Sequence, residues 1–472
     1  LAILAAAGLF VGGVGVPSAK AADLGGDCCA DLEERVAELE ATTARKGNRK
    51  MSLTISGQVN RGVLWWDDGF RSDVYYGIDS TNSSSRFIFS GSGKVTSKVS
   101  MGFDIMIEIE AGGTSSKLSQ FDEDGKVGTQ IAGNPATDTV SFNAANADSY
   151  GGDWRWARWW IDHKDIGRLT VGRTESAGAI TTIDLGGISV VASGSVILLN
   201  GGFLVRSSAT GAYGAINWGS LGDPASNQGR TELIRYDSPT IAGFIASASI
   251  GEAGDYWGAM LRYAGEFSGF RIAGGIGYER ATDRASGAPT GPDDLSPAVT
   301  GPTPEVDAWG AGLSVLHVPS GLFAQGHYMA AEFSCDAVAA TNAGGYWGWR
   351  NCKADADQWM IQAGITKNWT GLGNTAIYGE YSQSNDWGAD KGLGRDYAGA
   401  VGSVSVFDVR ATELTVWGVG IVQNIDAAAT ELYLGWRHFS AEARGALANG
   451  GAQIDLPAED ADFVFGGARV KF

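Results

Sequence analysis

From Met51 onward the chain is written in period-two runs that come in pairs, and the connections between them fall into two length classes. In the first run Leu53, Ile55, Val59, Val63 and Trp65 share one face, while Ser52, Thr54, Ser56, Gln58 and Asn60 share the other. Such alternation marks a strand with one apolar and one polar face. A soluble sandwich turns the apolar face to its core, whereas a barrel in lipid turns it outward and lines water with the polar face. Periodicity does not choose between these, but connection length does. Ser85–Lys94 meets Lys98–Glu110, Asp153–His163 meets Gly167–Arg173, and Arg230–Tyr236 meets Ile241–Ile250 through very short turns. Tyr256–Phe267 with Phe270–Arg280, Val306–His317 with Leu322–Phe333, Gln358–Trp369 with Asn374–Ser384, and Glu413–Gln423 with Thr430–Ser440 repeat the arrangement. Most other connections are long: Asp67–Ser84, Ala111–Gly152, Thr174–Gly229, Ala281–Glu305, Ser334–Asp357, Asn385–Thr412 and Ala441–Asp460.

With the first run and a last one, Ala461–Phe472, the count is about sixteen strands. A sandwich has no reason to sort its loops by length, but a barrel with short turns at one rim and long loops at the other does so. In lipid every backbone polar group must be paired, so the sheet has to close, and an even count lets first and last strands meet antiparallel. The expectation is an all-β chain, a 16-stranded antiparallel transmembrane β-barrel over 51–472. The 70 Gly, 16 Trp, 14 Tyr and 18 Phe suit extended, aromatic-decorated structure. A mean hydropathy of −0.06 excludes a bundle of membrane helices but not strands that are only half apolar. The doublets Trp65-Trp66 and Trp159-Trp160 suit aromatic girdles at the membrane interface.

The residues before the barrel carry other signals. Leu1 to Val16 are an unbroken apolar run, followed by Pro17 and the triplet Ala19-Lys20-Ala21. That reads as a secretory signal over 1–21, its basic region lying upstream of Leu1; a membrane anchor is the alternative, short for a span and broken by Pro17. In 22–50, Leu32, Val36 and Leu39 fall at i, i+4 and i+7 among acidic and basic neighbours, about two heptads of a coiled-coil helix. So short a coil needs partner chains, which points to a periplasmic stalk; a solvated helical linker is the other reading. Export permits disulfides. Cys335 and Cys352 flank a polar, Gly-containing segment and are expected to close one loop, two free thiols being the alternative. Cys28 and Cys29 are adjacent and unsuited to bonding each other.

Four stretches resemble the Gram-negative general porins, the alphaproteobacterial ones especially. Ser85-Arg86-Phe87-Ile88-Phe89-Ser90-Gly91 is similar to their second strand. Gly167-Arg168-Leu169-Thr170-Val171-Gly172-Arg173 resembles the strand entering their constriction loop, and Ile234-Arg235-Tyr236-Asp237-Ser238-Pro239 the strand leaving it. Gly467-Ala468-Arg469-Val470-Lys471-Phe472 resembles the C-terminal signal, ending in Phe472, that the barrel-assembly machinery reads. The resemblance implies a homotrimer in the outer membrane and a third loop, here about 174–229, folded inward to an eyelet with acids facing arginines. Ile183-Asp184-Leu185-Gly186-Gly187 resembles that loop's Pro-Glu-Phe-Gly-Gly tip, which implies Asp184 as the first acid and Glu175 as the second. For the basic side the match implies Arg86, then Arg155 or Arg158 and Arg230 by position, with Arg173 at the loop's root. The function implied is passive diffusion of small hydrophilic solutes and ions, with no enzyme activity.

Other chemistry has little to stand on. The balance of 53 Asp+Glu against 35 Lys+Arg, a net −18, excludes a nucleic-acid footprint. His163, His317, His327 and His438 lie on different expected strands without ligand spacing, so no metal or other cofactor is expected. Asp122-Glu123-Asp124-Gly125 lacks the remaining ligands of a calcium loop. Such acidic loops leave one metal role, divalent cations bridging them to lipopolysaccharide. Two alternatives to a general pore stay open: a substrate-specific channel, and a barrel anchored to peptidoglycan, since Ala22-Asp23 resembles the N-termini so attached.

Overall fold

The computed structural model describes residues 51–110, 114–115, 118–120, 128–134, 139–144, 151–178, 183–192, 201–209, 211, 213–222, 230–251, 256–282, 305–334, 353–387, 406–447 and 453–472. The signal segment, the coiled-coil positions Leu32, Val36 and Leu39, the four cysteines and the Asp122–Gly125 loop lie outside these. The barrel opens with β1 (Thr54–Asp67), β2 in two segments (Ser72–Asp79 and Arg86–Lys94), β3 (Val99–Glu110), β4 (Gly151–His163) and β5 (Gly167–Glu175). It continues through β6 (Arg230–Asp237), β7 (Phe244–Gly251), β8 (Tyr256–Phe267), β9 (Phe270–Ala281), β10 (Glu305–His317) and β11 (Leu322–Ser334). It ends with β12 (Lys353–Lys367), β13 (Thr375–Asn385), β14 (Val406–Ile425), β15 (Thr430–Leu447) and β16, again in two segments (Gln453–Leu456 and Ala461–Lys471).

Each strand pairs antiparallel with its chain neighbours, so 18 hydrogen-bonded segments form sixteen strands. The seam closes where β1 meets β16, from Gln58↔Lys471 to Asp67↔Asp462. Phe472 adds a last rung, its N–H and carbonyl both bonded to Gly57. No sheet edge is left for lipid to face.

Burial alternates as the sequence pattern demands. Along β6 the odd-facing Thr231, Leu233 and Arg235 are buried in the barrel while Glu232, Ile234 and Tyr236 are exposed outside. The outward-facing apolar residues, exposed or half-buried, are the lipid face, and they include a regular aromatic belt toward the long-loop rim. Eight successive strands, β8 to β15, contribute one ring each in contacting pairs. These are Trp257–Tyr278 (5.1 Å), Trp309–Tyr328 (5.1 Å), Trp359–Tyr381 (5.2 Å) and Trp417–Trp436 (4.7 Å). The expected doublets contribute only half of themselves, because adjacent residues point to opposite faces. Trp159 is exposed outside, while Trp66 is buried in the lumen against Tyr75 and Phe203.

Two expected loops are shorter than the sequence pattern suggests. Within 67–84 the first segment of β2 pairs back on β1 from Asp67↔Ser72 to Arg61↔Asp79, leaving a four-residue turn. Its alternation was unreadable because the register shifts between Gly62 and Val63, opposite Gly77, whose φ of +71° suits only glycine. Similarly β14 starts at Val406, inside the expected loop Asn385–Thr412.

Candidate functional site

The connection from β5 to β6 turns into the barrel and lines its inner wall. At its start Ala177 donates its N–H to Ser249 Oγ (2.8 Å) on β7, and Ser176 Oγ donates to Glu279 (3.2 Å) on β9. Residues 183–192 then lie against β10 to β15: the Leu185 N–H reaches Ser314 Oγ at 3.3 Å. Gly186 sits so close to the Phe323 ring that a Cβ there would approach it to 2.5 Å, and Val191 presses against Gly435. Residues 201–209 and 213–222 finish the circuit beside β1, β2, β15 and β16, where Phe203 meets Trp66 (5.6 Å) and Phe463 (5.0 Å), and Trp218 meets Phe439 (5.5 Å). Ile188, Val190, Val191, Phe203, Val205, Trp218 and Leu221 of the loop share one buried apolar cluster with Leu64, Tyr378, Tyr433 and Phe465 of the wall. Burying each such side chain contributes roughly 1.5–3 kcal/mol, enough to hold the loop in place without a covalent tie.

Beneath the loop the wall is polar but dry. Ser314 Oγ lies 3.2 Å from the Gln325 amide and that amide 2.9 Å from the Gln362 amide, while Gln362 donates to Glu380 (2.9 Å), one rung per strand from β10 to β13. Arg437 on β15 completes the chain with two bonds to Glu380, at 2.6 and 3.0 Å. Both members of that ion pair are buried, so each holds the other's charge where little water reaches.

The wall from the second segment of β2 to β6 is different: it carries a continuous band of charge, buried at Arg86 and Glu108 and, among the described residues, partly uncovered from Asp104 and Arg155 to Arg230. Arg86 faces Glu108 across β2 and β3 (3.4 Å), and Arg155 binds the other oxygen of Glu108. Arg155 reaches inward because it is the extra residue of a bulge: Trp154 pairs with Ile107 and Trp156 with Met106, leaving Arg155 between them. Next along the band, Arg158 bridges Asp104 (3.2 Å) and Glu175 (3.4 Å), its guanidinium 4.1 Å over the Trp156 ring. Glu175 also accepts from Trp156 Nε1 (2.6 Å) and Arg230 (3.3 Å). The side chains of Arg158, Glu175 and Arg230 keep 17, 21 and 25 % of their surface, against 5 and 2 % for Arg437 and Glu380.

The residues implied by resemblance thus divide. Arg86 and Arg155 gather on Glu108, while Arg158 and Arg230 gather on Glu175. Asp184 joins neither group: its carboxylate accepts the N–H groups of Gly187 (2.8 Å), Ile188 (2.8 Å) and Ser189 (2.7 Å), fixing the loop's own turn. Gly187 there has φ +79°, which explains the Gly-Gly pair. Arg173 shares the outer face with Leu169 and Val171, stands opposite Glu232, and donates to the Trp154 carbonyl (2.6 Å). The four histidines stand on β4, β10, β11 and β15. Sequence reasoning missed Asp104 and Glu108, although both alternate with Ile105, Ile107 and Ile109. Acids at every second position of an apolar strand mark its inner face.

The anion-selective porin from Comamonas acidovorans superposes with a TM-score of 0.49 at 16% identity, over 89% of this chain and 100% of that one. OmpT of Vibrio cholerae gives 0.49 at 11%, over 90% and 99%, and Salmonella typhi OmpF in complex with daunomycin gives 0.43 at 11%, over 90% and 98%. No curated protein sequence matches the chain. The sequence model described as "Gram-negative porin" matches residues 5–444, nearly the whole length. The chain belongs to the Gram-negative porin family and is an outer-membrane channel for passive diffusion.

Proposed function

We propose that solutes pass along the charged band of β2 to β6, on the side of the lumen opposite the wall that the inward loop covers. The observation that carries this reading is the contrast in cover. The loop seals β10 to β15 and β16 to β1 with apolar side chains, while Asp104, Arg158, Glu175 and Arg230 keep accessible surface. Opposed charges along a narrow water column align polar solutes and bias which ion enters. Arg86, Arg155, Arg158 and Arg230 stand against Asp104, Glu108 and Glu175, with Asp79 and Arg235 buried and Asp237 half-buried on the same strands.

The working unit is a homotrimer with the long loops outside the cell and the N-terminal segment in the periplasm. Support comes from the outer face: the aromatic belt of β8 to β15 stops on β5 to β7, where Arg173 and Glu232 stand opposite each other among apolar neighbours. A charge pair in that band suits a surface covered by another copy better than one in lipid. The exposure of Phe472 (58%), beside Phe87, supports reading it as the residue that the barrel-assembly machinery recognises.

Single-channel recording in planar bilayers under a salt gradient tests the reading. Arg158→Gln removes one positive charge, and its reversal potential shifts toward cations with the barrel still folded. A folded barrel that never opens, or an Arg158→Gln channel with the parent's reversal potential, rejects the band as the path.

A further inference from the structure

The broken strand β2 holds a feature that neither the inward loop nor the charged band requires. Its first segment pairs with β1 as far as Arg61↔Asp79, and its second resumes at Gln58↔Arg86. Two residues of β1, Val59 and Asn60, therefore face six of β2, Ser80 to Ser85. An ordinary bulge holds one extra residue. The surplus here has to leave the sheet, and it leaves inward.

The inward direction is fixed by what grips the segment. Gln58 Nε2 donates to the carbonyls of Ser83 (2.9 Å) and Ser84 (2.8 Å), and Asn60 Nδ2 to Ser83 (2.9 Å), both side chains pointing into the barrel. Arg86 Nε donates to the Ser84 carbonyl (2.9 Å), and Asp79 accepts the Ser85 N–H (3.1 Å) to close the base. A single 3-10 turn, Thr81–Ser83, forms the tip. On its far side Asn82 Nδ2 donates to the Ser189 carbonyl of the inward loop (2.6 Å), and the Thr81 N–H reaches Ser115 Oγ (3.1 Å) of the connection β3–β4. Ser83, Ser84 and Ser85 are buried at the root, while Thr81 and Asn82 keep accessible surface at the tip. Every residue of Ser80-Thr81-Asn82-Ser83-Ser84-Ser85 is uncharged and can hydrogen-bond through its side chain. The segment has no apolar side chain to bury, so hydrogen bonds alone hold it across the space between wall and loop.

We infer that Ser80–Ser85 is a second narrowing element of the channel, which sets the size limit for uncharged polar solutes while the charged band sets ion preference. This rests on the reading of the barrel as an open diffusion channel. The position supports the division of labour. The segment abuts Arg86 at one end of the band, occupies lumen that strand pairing does not need filled, and keeps the uncharged hydroxyl and amide of Thr81 and Asn82 partly accessible at its tip. Such groups exchange hydrogen bonds with a passing sugar-like solute at little net cost.

Shortening the segment tests it. Deleting Asn82–Ser85 leaves Ser80 and Thr81 to face Asn60 and Val59 one for one, which makes β2 continuous. In bilayers, single-channel conductance is expected to rise about 1.5-fold or more, with the reversal potential unchanged. In liposome swelling, the largest neutral oligosaccharide admitted is expected to grow. A folded, shortened barrel with the parent's conductance and exclusion limit overturns the inference. If the deletion does not fold, Asn82→Trp, at the half-buried tip, is expected to lower both conductance and swelling rate; unchanged values there overturn it equally. Arg158→Gln recorded alongside separates the two readings. A shifted reversal potential with no effect of the segment removes this inference only, whereas a silent parent channel removes the channel reading beneath it.

Discussion

Two stretches of the same inner wall, β10 to β15 and β2 to β6, have the same alternation and similar numbers of polar side chains, yet they are built for opposite ends. Under the inward loop, Ser314, Gln325, Gln362, Glu380 and Arg437 hydrogen-bond in a row and exclude water. On the bare side, Asp104, Arg158, Glu175 and Arg230 make pairs of 3.2 to 3.4 Å and stay partly wet. A buried pair becomes indispensable once made, since removing one partner strands the other; a partly solvated pair is worth about 1 kcal/mol or less. The difference lies in what packs against each wall, and on the proposed reading stability belongs to one side and traffic to the other.

The comparison breaks most sharply at Arg437. Arg437→Met leaves Glu380 buried and unpaired and is expected to destabilise the barrel by about 3–5 kcal/mol in equilibrium unfolding from lipid vesicles, while Arg437→Met with Glu380→Met recovers most of that. If the single variant is as stable as the parent, the covered wall is wetter than its packing implies. A smaller loss, about 2 kcal/mol, is expected for Val191→Ala, which leaves a gap against Gly435 and Tyr378. The same variant is expected to add open-channel noise, because the loop loses its grip on the wall; a quiet trace would place that grip elsewhere. Asp184→Asn sharpens the contrast with the least effect. Weakening the acceptor for three N–H groups is expected to cost about 1 kcal/mol and to leave the reversal potential where it was. A shifted reversal potential would return Asp184 to the conducting path.

Strand positions were legible because one physical rule, apolar out and polar in, repeats along every strand, and most boundaries read from alternation fall within a few residues of the observed ones. The rule fails where the backbone departs from even pairing. The first segment of β2 was hidden by the register shift opposite Gly77, and Arg155 could be placed only as one of two registers because a bulge sits beside it. Site residues were less legible for a related reason. Which acid meets which arginine depends on register between strands far apart in sequence, as with Glu108 and Arg155 or Glu380 and Arg437. The loop tip resembled its family in sequence, but the role of Asp184 became visible only with the three N–H groups it gathers.

The seam between β1 and β16 has a consequence for how the barrel comes into being. Its partners, from Gln58↔Lys471 to Asp67↔Asp462, are about four hundred residues apart in the chain. Closing a loop of that length costs roughly 5 kcal/mol of chain entropy before a single rung is made. Until it closes, two bare strand edges face whatever surrounds them, each a template for the wrong neighbour. The two edges therefore need to be kept apart from other chains, and near each other, through most of synthesis and transit. Fidelity in this molecule is decided at its last rungs, and a weakness there, at Gly57 and Phe472 for example, would surface as lost yield before it surfaced as lost stability.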